Sequence, residues 1–191
     1  MPLTSADIAR IIEAAGLADE ARAKYREGVS GREFVNQMVS AQQYIDTVKF
    51  LAHALPPREG VWWAWMCARK ASGPEPTPGV QASLAATEKW LSQPSDELRR
   101  AAKDAAEQAP LETAAGVAGF AAFMSGGSIA PPTAPEVPAP PFQSAKFVAG
   151  AVMISAVVTQ PEKAPEKYRT YIDQAMDVAN RIQLWEKAKE A

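Results

Sequence analysis

Apolar residues recur at steps of three and four along most of this chain, the spacing of one face of an α-helix. Ser5 can cap a first helix in which Ile8, Ile11, Ile12 and Ala15 share a face, and Gly16 is placed to end it. Leu17 to Arg26 reads as a short second helix, closed by Gly28. Ser30, with Glu33 three residues on, has the spacing of a capping box. It opens a long helix whose stripe is Phe34, Met38, Ala41, Ile45, Val48, Ala52 and Leu55, and Pro56 and Pro57 stop that helix. Pro57 suits the first turn of the next one, which carries Val61 to Ala68 and is apolar all round, so neighbours should enclose it. A Gly/Pro break from Gly73 to Gly79 precedes a helix from Val80 to Leu91, with Leu84, Trp90 and Leu91 available for the core. Ser95 then caps an alanine-rich helix running to Ala109.

Glu112 to Met124 forms a helix of small residues that contains Gly116 and Gly119. Glycine inside a helix costs about 1 kcal/mol against alanine, so its use here implies close approach of a neighbour. Ser125-Gly126-Gly127-Ser128 ends this helix, and a proline-rich connector runs from Pro131 to Pro141. Ser144 starts a second small-residue helix. Pro161 and Pro165 open the last one, whose seam of Tyr168, Tyr171, Ala175, Val178, Ile182 and Trp185 is close to a heptad rhythm. No segment alternates as a strand does, and no strict repeat occurs, although helical hairpins of similar length invite comparison with solenoids. The expected fold is all-α: a compact multi-helix bundle or an irregular array of helical hairpins, one domain over 1–191. Segment 125–142 should be a Gly/Pro-rich connector crossing its surface.

Composition narrows the function classes. At 47% hydrophobic residues the chain can build a core. The formal net charge is −2, and the densest basic spots, Arg99-Arg100 and Lys187/Lys189, have acids beside them, so no nucleic-acid surface is expected. Thr113 to Met124 and Phe147 to Val158 are strongly apolar, but each has about a dozen residues where a membrane span needs about twenty. They read as buried helices, with a membrane hairpin as the alternative. The N-terminal residues lack the basic and apolar regions of a signal peptide. The single cysteine, Cys67, permits no intramolecular disulfide, which favours a cytoplasmic setting.

Candidate chemistry is sparse. With one histidine, His53, and one distant cysteine, a zinc site of Cys and His ligands is not expected, and neither is any other metal or cofactor. His53 could act as a general base; a lone histidine near a helix end more often bonds a carbonyl or faces solvent. Cys67, beside Trp65 and Met66, reads as a buried inert thiol. No nucleophile elbow, phosphate-binding loop or dinucleotide fingerprint is present, and no catalytic residue is assigned. Asp96-Glu97 fits a helix N-terminus as a dipole partner. Ser125, Gly126, Gly127 and Ser128 could offer backbone N–H groups to an anion, or simply stop a helix. Trp62, Trp63 and Trp65 cannot all point one way, because successive helical residues turn by about 100°. They form either core or the wall of a ligand pocket, with His53 or Glu59 as its polar group. Pro132 to Pro135 and Pro135 to Pro138 have the two-residue spacing of a polyproline face. With Pro131 and the Ser125–Ser128 turn, they are the candidate surface for a protein partner; a stiff spacer is the bland reading.

The stretch from Tyr44 to Pro56, running into Arg58-Glu59 and Val61-Trp62-Trp63-Ala64, resembles an uncharacterised family of bacterial proteins, a domain of unknown function. The likeness continues in Trp90 and in Ser125-Gly-Gly-Ser-Ile-Ala-Pro-Pro132, and covers roughly Phe34 to the end of the chain. Some members of that family accompany type VI secretion components, which implies an accessory or adaptor role. The family carries no established active-site residues. Two readings follow: a non-enzymatic cytoplasmic adaptor that binds a protein partner, and a small-molecule-binding or enzymatic helical domain with a Trp-lined pocket.

Overall fold

A computed structural model describes residues 2–110 and 112–185. They form α1 (Ser5–Ala15), α2 (Asp19–Arg22), α3 (Gly31–Ser40), α4 (Tyr44–Ala54), α5 (Pro57–Ala71), α6 (Pro78–Ser92), α7 (Asp96–Ala106), α8 (Ala114–Phe123), α9 (Gln143–Val157) and α10 (Ala164–Arg181). A 3-10 turn at Pro161–Lys163 leads into α10. Among the described residues there is no strand, only one isolated antiparallel bridge between Ser128 and Pro138. The all-α expectation holds.

Local chemistry sets most of the helix ends. Ser30 and Ser95 cap as expected, their hydroxyls accepting from Glu33 N and Leu98 N. At α1 the cap is Thr4 and not Ser5: Thr4 Oγ1 accepts from Asp7 N at 3.2 Å, and Asp7 Oδ2 accepts from Thr4 N at 3.1 Å. Pro57 occupies the first position of α5. The second helix shrinks to the single turn of α2, and α7 stops at Ala106, short of Ala109.

The long helix from Ser30 to Leu55 does not form as one piece. It breaks between Ser40 and Tyr44, where Gln42 adopts a left-handed φ of 58° and Gln43 N reaches back to Met38 O at 2.9 Å. The apolar stripe survives on both sides of the break, with Phe34, Met38, Val48 and Ala52 buried. Its middle fails: Ala41 is exposed, Ile45 is 49% exposed, and Tyr44 points inward instead.

The two small-residue helices, α8 and α9, pack on each other, and α5 packs against both. A Cβ on Gly119 would lie 2.8 Å from Ala106 Cβ and 3.0 Å from Ala102 O, so only glycine lets α7 and α8 approach this closely. Ser83 donates to Ala115 O at 2.9 Å and Ser144 to Ala121 O at 2.8 Å, which clips α6 and α9 to α8. One cluster of buried side chains runs from Ile8 on α1 to Trp185 beyond α10. Trp185 does not continue the last helical seam as its spacing predicts; it is buried, but past the helix end, where its ring lies over Gly31. No described helix is long and apolar enough to cross a membrane. The basic pair Lys187/Lys189 lies outside the described residues.

Candidate functional site

The proline-rich segment folds into a hairpin-like loop pinned at its base. Ile129 N donates to Val137 O at 2.8 Å, and Ser128 Oγ accepts from Ala130 N at 3.2 Å and Val137 N at 3.1 Å. Two arginines of α7 hold the outgoing arm. Arg99 donates to Ser128 O at 2.7 Å and to Phe123 O, the end of α8. Arg100 donates to Ser128 O at 3.0 Å and to Ala130 O at 2.8 Å. Asp96 pairs with both guanidinium groups, and they, Arg100 foremost, hold its carboxyl below the ordinary range. Arg99 is only 4% exposed, with its guanidinium 4.8 Å from the Phe123 ring centre.

Gly127 is the residue this clamp needs. Its φ is 66°, and a Cβ there would sit 3.1 Å from Arg99 Nη2. The Ser125–Ser128 turn therefore meets the arginines through the Ser128 carbonyl, which accepts from both. Beyond the clamp, Pro131, Pro132 and Pro135 are exposed. Ala134 N donates to Pro131 O at 3.0 Å, so the first Pro-x-x-Pro is bent into a turn and presents no polyproline face. The second, Pro135 to Pro138, lies in the returning arm.

Under the returning arm lies a cavity of about 390 Å³ between α4, α5, the Ser125–Gly127 turn and the start of α9. His53 lines it and is 7% exposed. Its Nδ1 lies 2.8 Å from Lys49 O, and a carbonyl can only accept, so Nδ1 carries the proton. Nε2, at the opposite edge of the ring, is buried without a partner. Burial, with Lys146 and Lys49 nearby, holds the imidazole below its ordinary value, which leaves it neutral. Phe142 packs against it with ring centres 5.5 Å apart. Phe142 also sits at the N-cap of α9 with a left-handed φ of 58° and supplies no side-chain cap. Gln143 N finds Pro140 O and Lys146 N finds Phe142 O, each at 3.1 Å, while the N–H groups of Ser144 and Ala145 meet no acceptor among the described residues.

The residues of the alternative tryptophan pocket do not lie together. Trp63 is fully buried, its indole donating to Tyr171 O at 2.8 Å, so it is core. Trp62, Trp65 and Glu59 line a second hollow of about 390 Å³, together with Arg58, Glu88 and Arg181. His53 is not among them; it belongs to the loop cavity. Cys67 is buried, and burial drives its thiol far above the ordinary range, so it is unreactive. Among the described residues no group of His, Cys, Asp and Glu could hold a metal.

In the sequence, Arg99 and Arg100 read only as a basic spot neutralised by acids. Their clamping role gives no local signal, because the loop they hold lies roughly thirty residues away in the chain. The two stretches that carry the family resemblance, one containing His53 and the other Ser125 to Pro132, meet at the loop cavity.

Fold and site together define an all-α chain in which an arginine-clamped loop roofs a small cavity. Over residues 34–179 it matches the model described as "Family of unknown function (DUF6931)", and the chain belongs to that family. No curated protein and no solved structure matches it.

Proposed function

We propose that this chain is a non-enzymatic helical adaptor that works as one unit and offers loop 125–142 to a protein partner. The observation that carries the reading is the clamp: an exposed proline-rich tip held at its base by Arg99 and Arg100. A loop fixed before encounter loses less conformational freedom when it binds, which favours docking over a role as slack tether. The exposed Val137 beside Pro138 adds apolar surface to the tip. The cytoplasm, and the bacterial type VI secretion setting implied by the resemblance, are the proposed place of work.

The test is affinity capture from the native host with three forms of the chain. Replacing Pro131, Pro132 and Pro135 with serine should weaken capture of a defined partner and leave the helical circular-dichroism spectrum intact. Arg99→Met should weaken it too, by loosening the base. Trp62→Ala, on the other hollow, should not. Capture that survives the triple replacement reduces the loop to a spacer and removes the proposal.

A further inference from the structure

Gly119 on α8 is explained by its neighbour, Ala106 on α7. Gly150 on α9 has no such explanation. It is the central residue of α9 (Gln143–Val157), it reaches the surface, and a Cβ built on it would meet only Val117 Cγ1, at an ordinary 3.5 Å. Alanine would fit there and would favour the helix, because glycine inside a helix is destabilising relative to alanine. Among the described residues nothing requires glycine at this position. The surface around it is apolar. α9 packs inward on α4, α5 and α8. Its outer side carries Phe147, Met153, Ile154 and Val157, and Lys146 is the only ionisable side chain in the whole helix. Val157 is 46% exposed and the other three are half-buried. α8 widens the face: Phe120 stacks on Phe147 with ring centres 5.9 Å apart, and Val117 lies beside Gly150. A helix apolar all round belongs inside a protein, yet α9 turns this side to solvent.

We propose that this face is the two-fold interface of a homodimer, in which α9 of one copy crosses α9 of a second copy antiparallel at Gly150. An axis through the midpoint of the helix lets one glycine serve both chains, with two backbones close where neither has a side chain. It also pairs the flanking residues. Phe147, backed by Phe120, faces Met153 of the second copy, a sulfur–aromatic contact. Lys146 faces Ile154 of the second copy, so its stem covers apolar surface while its ammonium reaches toward the negative end of the opposing helix. Gln143 faces Val157 of the second copy at the rim. Parallel pairing would instead set Lys146 against its own copy. A lipid surface fits less well, since attraction to anionic headgroups needs clustered cations and the outer side of α9 has Lys146 alone. The face is about 22 Å long and about 18 Å wide, so roughly 400 Å², a size at which surface patches mark interactions. That is the small end for a protein interface, and a dissociation constant of roughly 1–100 μM is expected. This inference does not depend on the adaptor reading, because it concerns α9 and not the loop tip.

The experiment is sedimentation velocity of the full chain from about 1 μM to about 500 μM, a range that brackets such a constant. A monomer–dimer equilibrium should appear. Gly150→Gln fills the crossing point and should raise the dissociation constant at least about tenfold, without lowering the melting temperature of the dilute monomer. Val157→Lys, at an exposed position, should weaken the dimer too. Ile45→Lys, at an apolar residue on α4 that is equally exposed, should leave it unchanged. The unaltered chain gives a second readout that survives misfolding of any variant: the methyl signals of Met153, Ile154 and Val157 should shift with protein concentration, and that of Ile45 should not. A monomer throughout the range would overturn the assignment. So would a dimer indifferent to both Gly150→Gln and Val157→Lys, or a monomer whose α9 methyl signals move only with anionic vesicles, which would give the face to lipid.

Discussion

The two hollows have the same volume, about 390 Å³, and opposite characters. The tryptophan hollow is edged by Arg58, Glu59, Glu88 and Arg181. Trp65 donates to Leu84 O at 3.0 Å, and Arg58 Nε donates to Leu91 O at 3.1 Å at the end of α6. The loop cavity has no charged edge, and the one histidine beside it, His53, is buried. The first is a seam between helices, where long charged side chains remain hydrated at the rim. The second arises where a helix starts without a cap and irregular backbone crosses above it. Volume alone does not separate them; the charge at their edges does.

The largest expected effect tests the claim that the tryptophan helix is mainly core. Trp63→Ala should lower unfolding free energy by about 3–5 kcal/mol, read from urea denaturation, because a fully buried ring is deleted. A loss under about 1 kcal/mol would show that Trp63 is not packed as described.

The next effect belongs to the loop. Arg99→Met keeps much of the apolar stem but takes the arginine from Phe123 O and leaves Ser128 O to Arg100 alone. Hydrogen bonds to a charged donor of this kind are worth about 1.5–3 kcal/mol, so a loss of about 2–3 kcal/mol is expected. Hydrogen exchange should also quicken at Ile129 and Val137, whose amides bond within the loop. Unchanged exchange there would mean that the hairpin closes without the arginine. Trp62→Ala should cost less than either, about 1 kcal/mol, because its ring is half-buried at the rim of the hollow. A loss equal to that of Trp63→Ala would erase the distinction between rim and core.

Sequence legibility follows the same divide. Periodicity is enough to find the helices, and the glycines of α8 by themselves imply a close neighbour, which proves to be α7. The turn of about 100° per residue separates the tryptophans in principle. It does not say that Trp63 faces α10 while Trp62 stays at a rim, because that depends on which helices arrive. The break at Gln42 is invisible in the sequence, since neither glycine nor proline marks it and the stripe continues across it. The loop cavity is hidden for a related reason. It joins His53, a turn more than seventy residues later and a helix start at Phe142. Only Phe142 in a left-handed conformation, which no sequence rule anticipates for a bulky residue, puts these together.

The smallest expected effect is a pH dependence, and it bears most directly on the loop cavity. The chain has one histidine, so any imidazole titration is that of His53. In the folded state burial, then Lys146 and Lys49, lower its pKa from the ordinary 6.5. In the unfolded chain the ring regains the ordinary value. As pH falls through 6.5, the unfolded state takes up a proton that the folded state still refuses. The unfolded state then binds more protons, so stability drops as the pH falls; the drop ends only below the lowered folded value. Above 6.5 the contribution is fully present. Urea denaturation from about pH 8 to about pH 5 should therefore show a decline in the unaltered chain that is absent from His53→Phe, whose remaining slope comes from carboxylates. An identical slope in both would mean that His53 is as solvated folded as unfolded. The tryptophan hollow contains no histidine, so Trp62→Ala should leave this slope as it is.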